Sequence, residues 1–327
     1  MKLGRIARAG NGHWERVNTP PVPVLLVTGA SGGIGRATAR AAAGRGFHLV
    51  LAARGADALE EVATSCREAG APSVLAVPTD VGRDTEVAAL IRSAVQERGR
   101  LEAVVHCAGV AAYGRTEDVP PAVFDGVIRT NLTGSVNIAR HVIPVLREQR
   151  CGTLVLVGSV IGHLGVPTMS PYVLSKWGVR ALARQLQLEN RDIPQVRIRY
   201  AAPGGVDTAI YRLAANYAGV EGMPPPPVRS AQHVAEQLLD RIGSGRGRDQ
   251  LSGLNEVMRL GFTALPRLYD LMVGPLFAVA ARDLSTTREP GPGNVLAPVH
   301  GPVSTSDRPG WRAVLRNVAT LARRSHR

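Results

Sequence analysis

Tyr172 and Lys176 stand four residues apart in the run Tyr-Val-Leu-Ser-Lys, and Ser159 precedes the tyrosine by 13 positions. Residues four apart share one face of a helix. The ammonium can then lower the phenol's pKa and hold a cofactor ribose, while the serine hydroxyl orients a carbonyl or an alcohol. Such a tyrosine is a proton acceptor near neutral pH. A tyrosine and lysine at this spacing are common by chance. The pair gains weight because Lys176 is the one lysine besides Lys2 among 39 Lys and Arg residues, and because a glycine-rich turn lies upstream.

That turn reads Thr28-Gly29-Ala30-Ser31-Gly32-Gly33-Ile34-Gly35, directly after an apolar run and directly before a helical pattern. Glycines there let the backbone turn sharply and approach a pyrophosphate, whose charge sits at the helix N-terminus. The second apolar run ends at Ala53-Arg54, where a dinucleotide fold selecting NAD would place an acid for the ribose 2′-hydroxyl. With no acid present, Arg54 can meet a 2′-phosphate, and NADP(H) is expected in preference to NAD(H). A solvated loop arginine is the bland alternative.

These residues need a frame. Apolar runs at 22–28, 48–53, 73–79, 101–107, 152–159 and 196–202 read as buried strands separated by amphipathic helices. Runs too apolar for a half-exposed sheet predict a parallel sheet covered on both faces, a doubly wound α/β domain. A helix is expected over 231–245, followed by a weak candidate for a seventh strand in Asp-Gln-Leu-Ser-Gly-Leu, 249–254. The organisation expected is a basic flexible arm (1–21), a single domain (22–253) with a substrate lid at about 209–227, and an apolar helical extension (254–283). A Pro/Gly-rich linker (284–310) and a basic amphipathic helix (311–327) with Trp311, Val314, Leu315, Val318 and Leu321 on one face complete the chain.

Over about residues 22–245 the chain resembles the short-chain dehydrogenase/reductase family, in its compact branch with TGxxxGxG and YxxxK motifs. The resemblance implies a Rossmann fold. It implies that Gly29, Gly33 and Gly35, with Thr28, Ser31 and Ile34, form the cofactor turn. Asp80 and Val81 match the acidic position near the adenine, and Ala108-Gly109 the backbone beside the cofactor. Asn131 matches the asparagine that supports a proton-relay water, and Ser159, Tyr172 and Lys176 the catalytic serine, tyrosine and lysine. Pro203-Gly204 through Val206 and Thr208 matches the turn beside the nicotinamide. One departure is visible. The family commonly shows Asn-Asn-Ala-Gly after the fourth strand, and this chain reads His106-Cys107-Ala108-Gly109, which alters the hydrogen bonds of two side chains. Cys107 reads as a small buried residue at a strand end rather than a redox thiol.

The reaction implied is hydride transfer between a nicotinamide and a carbinol or carbonyl carbon. Ile210, Tyr211, Leu213, Tyr217, Val220 and Met223 in the lid suggest a bulky hydrophobic alcohol or ketone of steroid, lipid or polyketide-like character, or simply pack the lid. A non-catalytic NADP-binding regulator and the same chemistry with NAD(H) are the alternatives.

Composition excludes other classes. Hydrophobic residues at 45% and charged residues at 20% are globular values, which rules out a mostly disordered or fibrous chain. The net charge of +13 suits an anionic partner, yet more than half of it lies in the two tails. Specific nucleic-acid binding is not expected, because no helix-turn-helix, zinc ligands or aromatic-basic interleaving accompany that charge. Three cysteines without metal spacing argue against a disulfide framework or a metal site and for a reducing compartment. No signal peptide or spanning helix is predicted. A cytoplasmic protein follows, with peripheral contact at the inner face of the membrane through 254–281 and 311–327 as a further expectation. Family habit implies a homo-oligomer.

Overall fold

The computed structural model describes residues 5–8, 14–17, 23–243, 251–299 and 314–319. Six apolar runs become strands β1 (Val24–Thr28), β2 (His48–Ala53), β3 (Val74–Pro78), β4 (Ala103–His106), β5 (Gly152–Val157) and β6 (Val196–Ala201). They pair in the order β3-β2-β1-β4-β5-β6, every pair parallel. This is the doubly wound arrangement, and its order reverses between β1 and β4. Ligands bind at such a reversal, outside the carboxyl ends of the strands.

Alternate strand residues face opposite sides of the sheet, and both sides are buried. Leu26, Val50, Val104 and Leu154 pack under α3 (Asp84–Arg98), α5 (Gly134–Glu148) and α6 (Ser170–Glu189). Leu25, Leu49, Leu51 and Val105 pack under α1 (Gly33–Gly44), α2 (Ala56–Glu68) and α8 (Ala231–Gly243). Local chemistry agrees with these boundaries. In α3, for example, Asp84 and Glu86 occupy the first turn, Arg98 the last, and Gly99 closes it at φ 73°, the charge and glycine placement that helix ends favour.

Between the sheet and the C-terminus lie α7 (Ile210–Leu213), α9 (Gly253–Ala264) and α10 (Pro266–Ala280). The lid continues through short strands, Ala215–Asn216 beside Ala112–Tyr113 and Val220–Gly222 beside Arg282–Thr287.

Four sequence expectations differ from this picture. Within the arm expected to be loose, Arg5–Arg8 pairs antiparallel with Trp14–Val17. No seventh strand joins the central sheet among the described residues. Ser252 instead caps α9, its hydroxyl accepting from the Asn255 amide at 3.3 Å; residues 249 and 250 lie outside the described part. The segment from 284 expected to be a linker begins inside the strand Arg282–Thr287, and Val295 beyond it is fully buried. Pairing with the lid and a plug of apolar surface order it despite its prolines and glycines. In the basic helix, residues 314–319 are helical, but the buried residue is Asn317, whose amide nitrogen donates to the carbonyls of Val279 and Arg282 at 2.9 and 2.6 Å. Leu315 and Val318 face outward. Trp311 and Leu321 lie outside the described residues, as does 300–310 of the expected linker.

Candidate active site

The turn after β1 brings the backbone against the end of β4. Gly29 has φ +65°, and a Cβ there would sit 2.7 Å from the Ala108 amide nitrogen, so only glycine permits both the turn and the approach. Below this crossing, Thr28 and His106 hold the two strand ends together. The Thr28 hydroxyl meets His106 Nδ1 at 2.7 Å and accepts the Ala108 amide at 3.3 Å. His106 thus supplies a hydrogen bond at the position where the family pattern carries asparagine. Burial drives its imidazole down to about 3, with the Lys176 charge pushing the same way, so the ring is neutral.

A cleft opens above the crossing. Gly29, Ser31, Gly33, Ile34 and Gly35 form one wall, Arg54, Asp80 and Val81 a second, and Ala108, Gly109 and Thr208 a third. The lining suits an extended dinucleotide: glycine backbone at the N-terminus of α1 would take a pyrophosphate, and Arg54, with Asp80 near enough to act on its charge, stands at the end of β2. Asp80 is turned inward, its Oδ1 accepting the Gly82 amide at 2.9 Å. Thr28 is completely buried and acts from below. Pro203, Gly204 and Val206 stand behind the lining: the Pro203 carbonyl accepts the Val160 amide at 2.9 Å, which sets the turn beside Ser159. Val206 pairs with Arg229 and is buried.

Arg54 takes an unexpected course. Its guanidinium donates to the carbonyls of Val295 and Asn294 at 3.1 and 2.5 Å, and burial lowers its pKa, opposed by Asp80. Neither a freely solvated arginine nor an unencumbered phosphate ligand describes it.

Deeper in, Asn131 lies in a π-helical turn, Arg129–Thr133, between α4 (Pro121–Ile128) and α5. Such turns concentrate at functional sites. Asn131 Nδ2 donates to the Val110 carbonyl and to Ser175 Oγ, both at 2.9 Å, and Oδ1 accepts the Val110 amide at 2.8 Å. One buried amide therefore ties the end of β4 to α6. On α6, Lys176 Nζ donates to the Val157 carbonyl at 3.0 Å and lies 5.8 Å from the centre of the Tyr172 ring. Ser159 is extended at the N-cap of a short 3₁₀ turn, its Oγ accepting the Ile161 amide at 3.3 Å, and it lies close enough to the Tyr172 phenol to lower its pKa. Gly109 sits between the groups, a Cβ on it falling 3.3 Å from Asn131 Oδ1 and 3.7 Å from Lys176 Nζ.

Electrostatics correct one expectation. The spacing of Tyr172 and Lys176 predicts a depressed phenol. Burial instead pushes Tyr172 up to about 12, with the Ser159 hydrogen bond opposing, and burial brings Lys176 down to about 8. The reason is the apolar packing around the ring. Tyr113, Met169, Ala214 and Phe277 pack with Ile161, Ile210 and Tyr211 around Tyr172. Near neutral pH the phenol keeps its proton. Of the expected lid residues, Ile210 and Leu213 line the cleft and Tyr211 packs with Tyr172. Val220 enters the strand pair with Arg282–Thr287, and Tyr217 and Met223 serve the packing.

The short chain dehydrogenase family pattern matches residues 23–216, more than half of the chain. The chain belongs to that family. It is an oxidoreductase of the kind whose members use a nicotinamide dinucleotide. Relatives of this dehydrogenase include an uncharacterized oxidoreductase of Bacillus subtilis, 32% identical over 58% of this chain and 73% of its own length. The 3-ketodihydrosphingosine reductase of Bos taurus is 32% identical over 56% of each chain. An 11-beta-hydroxysteroid dehydrogenase-like protein of Arabidopsis thaliana is 33% identical over 59% of this chain and 63% of its own. Among solved structures, an alcohol dehydrogenase from Thermococcus sibiricus complexed with 5-hydroxy-NADP superposes with TM-score 0.61 at 29% identity, covering 70% of this chain and 95% of that one.

Sequence reasoning missed several residues lining the cleft of this dehydrogenase. Val110 and Thr130 follow motifs closely enough to have been found by extending them. Asn294 carries no local signal, because it reaches the cleft only through the path of the C-terminal segment.

Proposed function

We propose that this dehydrogenase is an NADP(H)-dependent reductase of bulky hydrophobic ketones, acting equally on the corresponding alcohols in reverse. The observation carrying the proposal is the partly buried Tyr172, its phenol held protonated by its surroundings with Ser159 acting on it and Lys176 Nζ 5.8 Å from its ring centre. The nicotinamide, when bound, supplies the hydride. Tyr172 gives its hydroxyl proton to the carbonyl oxygen, and Ser159 donates a hydrogen bond to the same oxygen. The Lys176 ammonium stabilises the phenolate left behind. Asn131 holds the Val110 backbone and α6 in register so that these groups keep their distances, and supports the relay that returns a proton to Tyr172. Gly29, Ser31, Gly33, Ile34 and Gly35 receive the pyrophosphate, Asp80 and Val81 the adenine, and Ala108, Gly109, Pro203, Gly204, Val206 and Thr208 the nicotinamide half. Arg54 takes the 2′-phosphate.

The apolar enclosure of Tyr172 supports a steroid, lipid or polyketide-like substrate, and the sphingoid and steroid names of the relatives point the same way. Following NADPH and NADH oxidation against ketones and aldehydes of rising apolar size tests this. Rates that grow with bulk and favour NADPH are expected. Activity confined to small polar carbonyls, or equal use of NADH, contradicts the substrate or cofactor assignment respectively.

The exposed helices favour a second reading of location. Val257, Leu260, Leu268, Leu271 and Leu276 on α9 and α10, and Leu265 between them, are at least half exposed, as are Leu315 and Val318. No helix among the described residues is long and apolar enough to cross a membrane. We infer a cytoplasmic oligomer that touches an anionic lipid surface through this face. Flotation with phosphatidylserine vesicles is expected, and its absence at low salt excludes the contact.

A further inference from the structure

The segment after the strand Arg282–Thr287 is tied down at several points although it follows no motif. Asn216 and Gly291 exchange backbone hydrogen bonds at 2.9 and 3.0 Å, and the Asn294 amide donates to the Leu213 carbonyl at 2.8 Å. Gly293 adopts φ +52°, and any Cβ on it would overlap the Leu213 carbonyl. Val295, fully buried, plugs an apolar pocket of Val110, Val119, Val123, Val127 and Ala215. The plugged strap delivers two groups to the adenosine end of the cofactor cleft. Main-chain carbonyls of Asn294 and Val295 grip two corners of the Arg54 guanidinium, and Asn294 itself lines the cleft. Its side-chain Oδ1 is buried with no hydrogen-bond partner, an arrangement that costs free energy unless a ligand donor fills it.

We propose that the strap around Asn294 and Val295 is part of the cofactor site. Its carbonyls fix Arg54 so that the remaining donors face the 2′-phosphate, and Asn294 Oδ1 accepts from an amine or hydroxyl of the adenosine half. The proposal rests on the NADP(H) reading above. A guanidinium has five N–H donors in a rigid fork, so two strap carbonyls leave donors for a phosphate. Holding the fork removes rotamer freedom that binding would otherwise have to quench. Because coupling between sites is reciprocal, phosphate binding at Arg54 must in turn steady the strap.

The test uses the full chain and measures NADPH and NADH dissociation constants by titration calorimetry for the native protein, Val295→Asp, Asn294→Ala and Arg54→Ala. Val295→Asp expels the plug; the NADPH-over-NADH preference is expected to fall about tenfold, close to that of Arg54→Ala, while NADH weakens only as far as in Asn294→Ala, because Asn294 leaves with the plug, and a native circular dichroism spectrum reports an intact fold. Asn294→Ala is expected to weaken both cofactors severalfold with the ratio unchanged, since the adenosine is common to both. Hydrogen exchange on the native protein needs no variant: NADPH is expected to slow exchange over 288–298 more than NADH at equal saturation. Equal or faster exchange with NADPH, or a preference retained in Val295→Asp but lost in Arg54→Ala, overturns the strap's role. Full cofactor affinity in Asn294→Ala overturns that contact. A preference unchanged in Arg54→Ala removes instead the NADP(H) reading on which the proposal stands.

Discussion

At the scale of residues, burial sets the chemistry more than spacing does. The four-residue interval of Tyr172 and Lys176 was legible in the sequence, and so was the membership of Ser159 in their group. The protonation states were not, because desolvation depends on Met169, Phe277 and Tyr211 arriving from distant parts of the chain. With Lys176 near 8, its charge is present below that pH and lost above it. For reduction, kcat/KM is therefore expected to be level through neutrality and to fall with a midpoint near pH 8, since an uncharged amine cannot steady the phenolate. A profile flat to pH 10 contradicts this. His106 provides a stability counterpart. Its imidazole titrates at about 3 in the fold and at about 6.5 when unfolded, so the unfolded chain binds the extra proton between those values. Stability is complete above about 6.5 and is lost as pH falls, by up to about 1.4 kcal/mol per unit. Urea unfolding at pH 7 and pH 5 is expected to show the native protein losing about 2 kcal/mol more than His106→Asn, whose amide can still bond Thr28. Equal losses contradict the assignment.

Elements explain why the cofactor cleft was readable and its closure was not. The six strands announce themselves because parallel strands buried on both faces are continuous apolar runs, and their order places the Thr28–Gly35 turn at the reversal between β1 and β4. Asn131 was found by its motif, yet the π-helical turn that aims its amide at Val110 and Ser175 has no signature in residues that also form ordinary helix. Of the weak seventh-strand candidate, the described residues give the sheet edge one hydrogen bond, from the Leu251 amide to the Ala202 carbonyl at 3.2 Å, before Ser252, a strong N-cap, starts α9. The prolines and glycines of 284–299 suggested a linker, but composition does not record that Val295 has a pocket waiting in α4 and the lid. Removing one amide from the network, Asn131→Ala, is expected to lower the melting temperature by several degrees, since it leaves the Val110 amide and carbonyl without their partner in a buried place. An unchanged melting point contradicts the role given to that amide.

For the whole molecule, the same C-terminal third brings Asn294 to the lining of the cleft, packs Phe277 and Ala281 into the apolar cluster with Tyr172, and offers an apolar outer face on α9 and α10. On the proposed reading, this apolar packing and apolar exterior suit a reductase that draws its ketone from lipid. All of it depends on Tyr172 being the acid. The most direct measurement is turnover of the best apolar ketone by Tyr172→Phe alongside NADPH affinity of the same variant. Loss of at least a thousandfold in kcat with NADPH bound within threefold of native is the expected result. Turnover within tenfold of native at unchanged affinity contradicts the account, because another group would then deliver the proton.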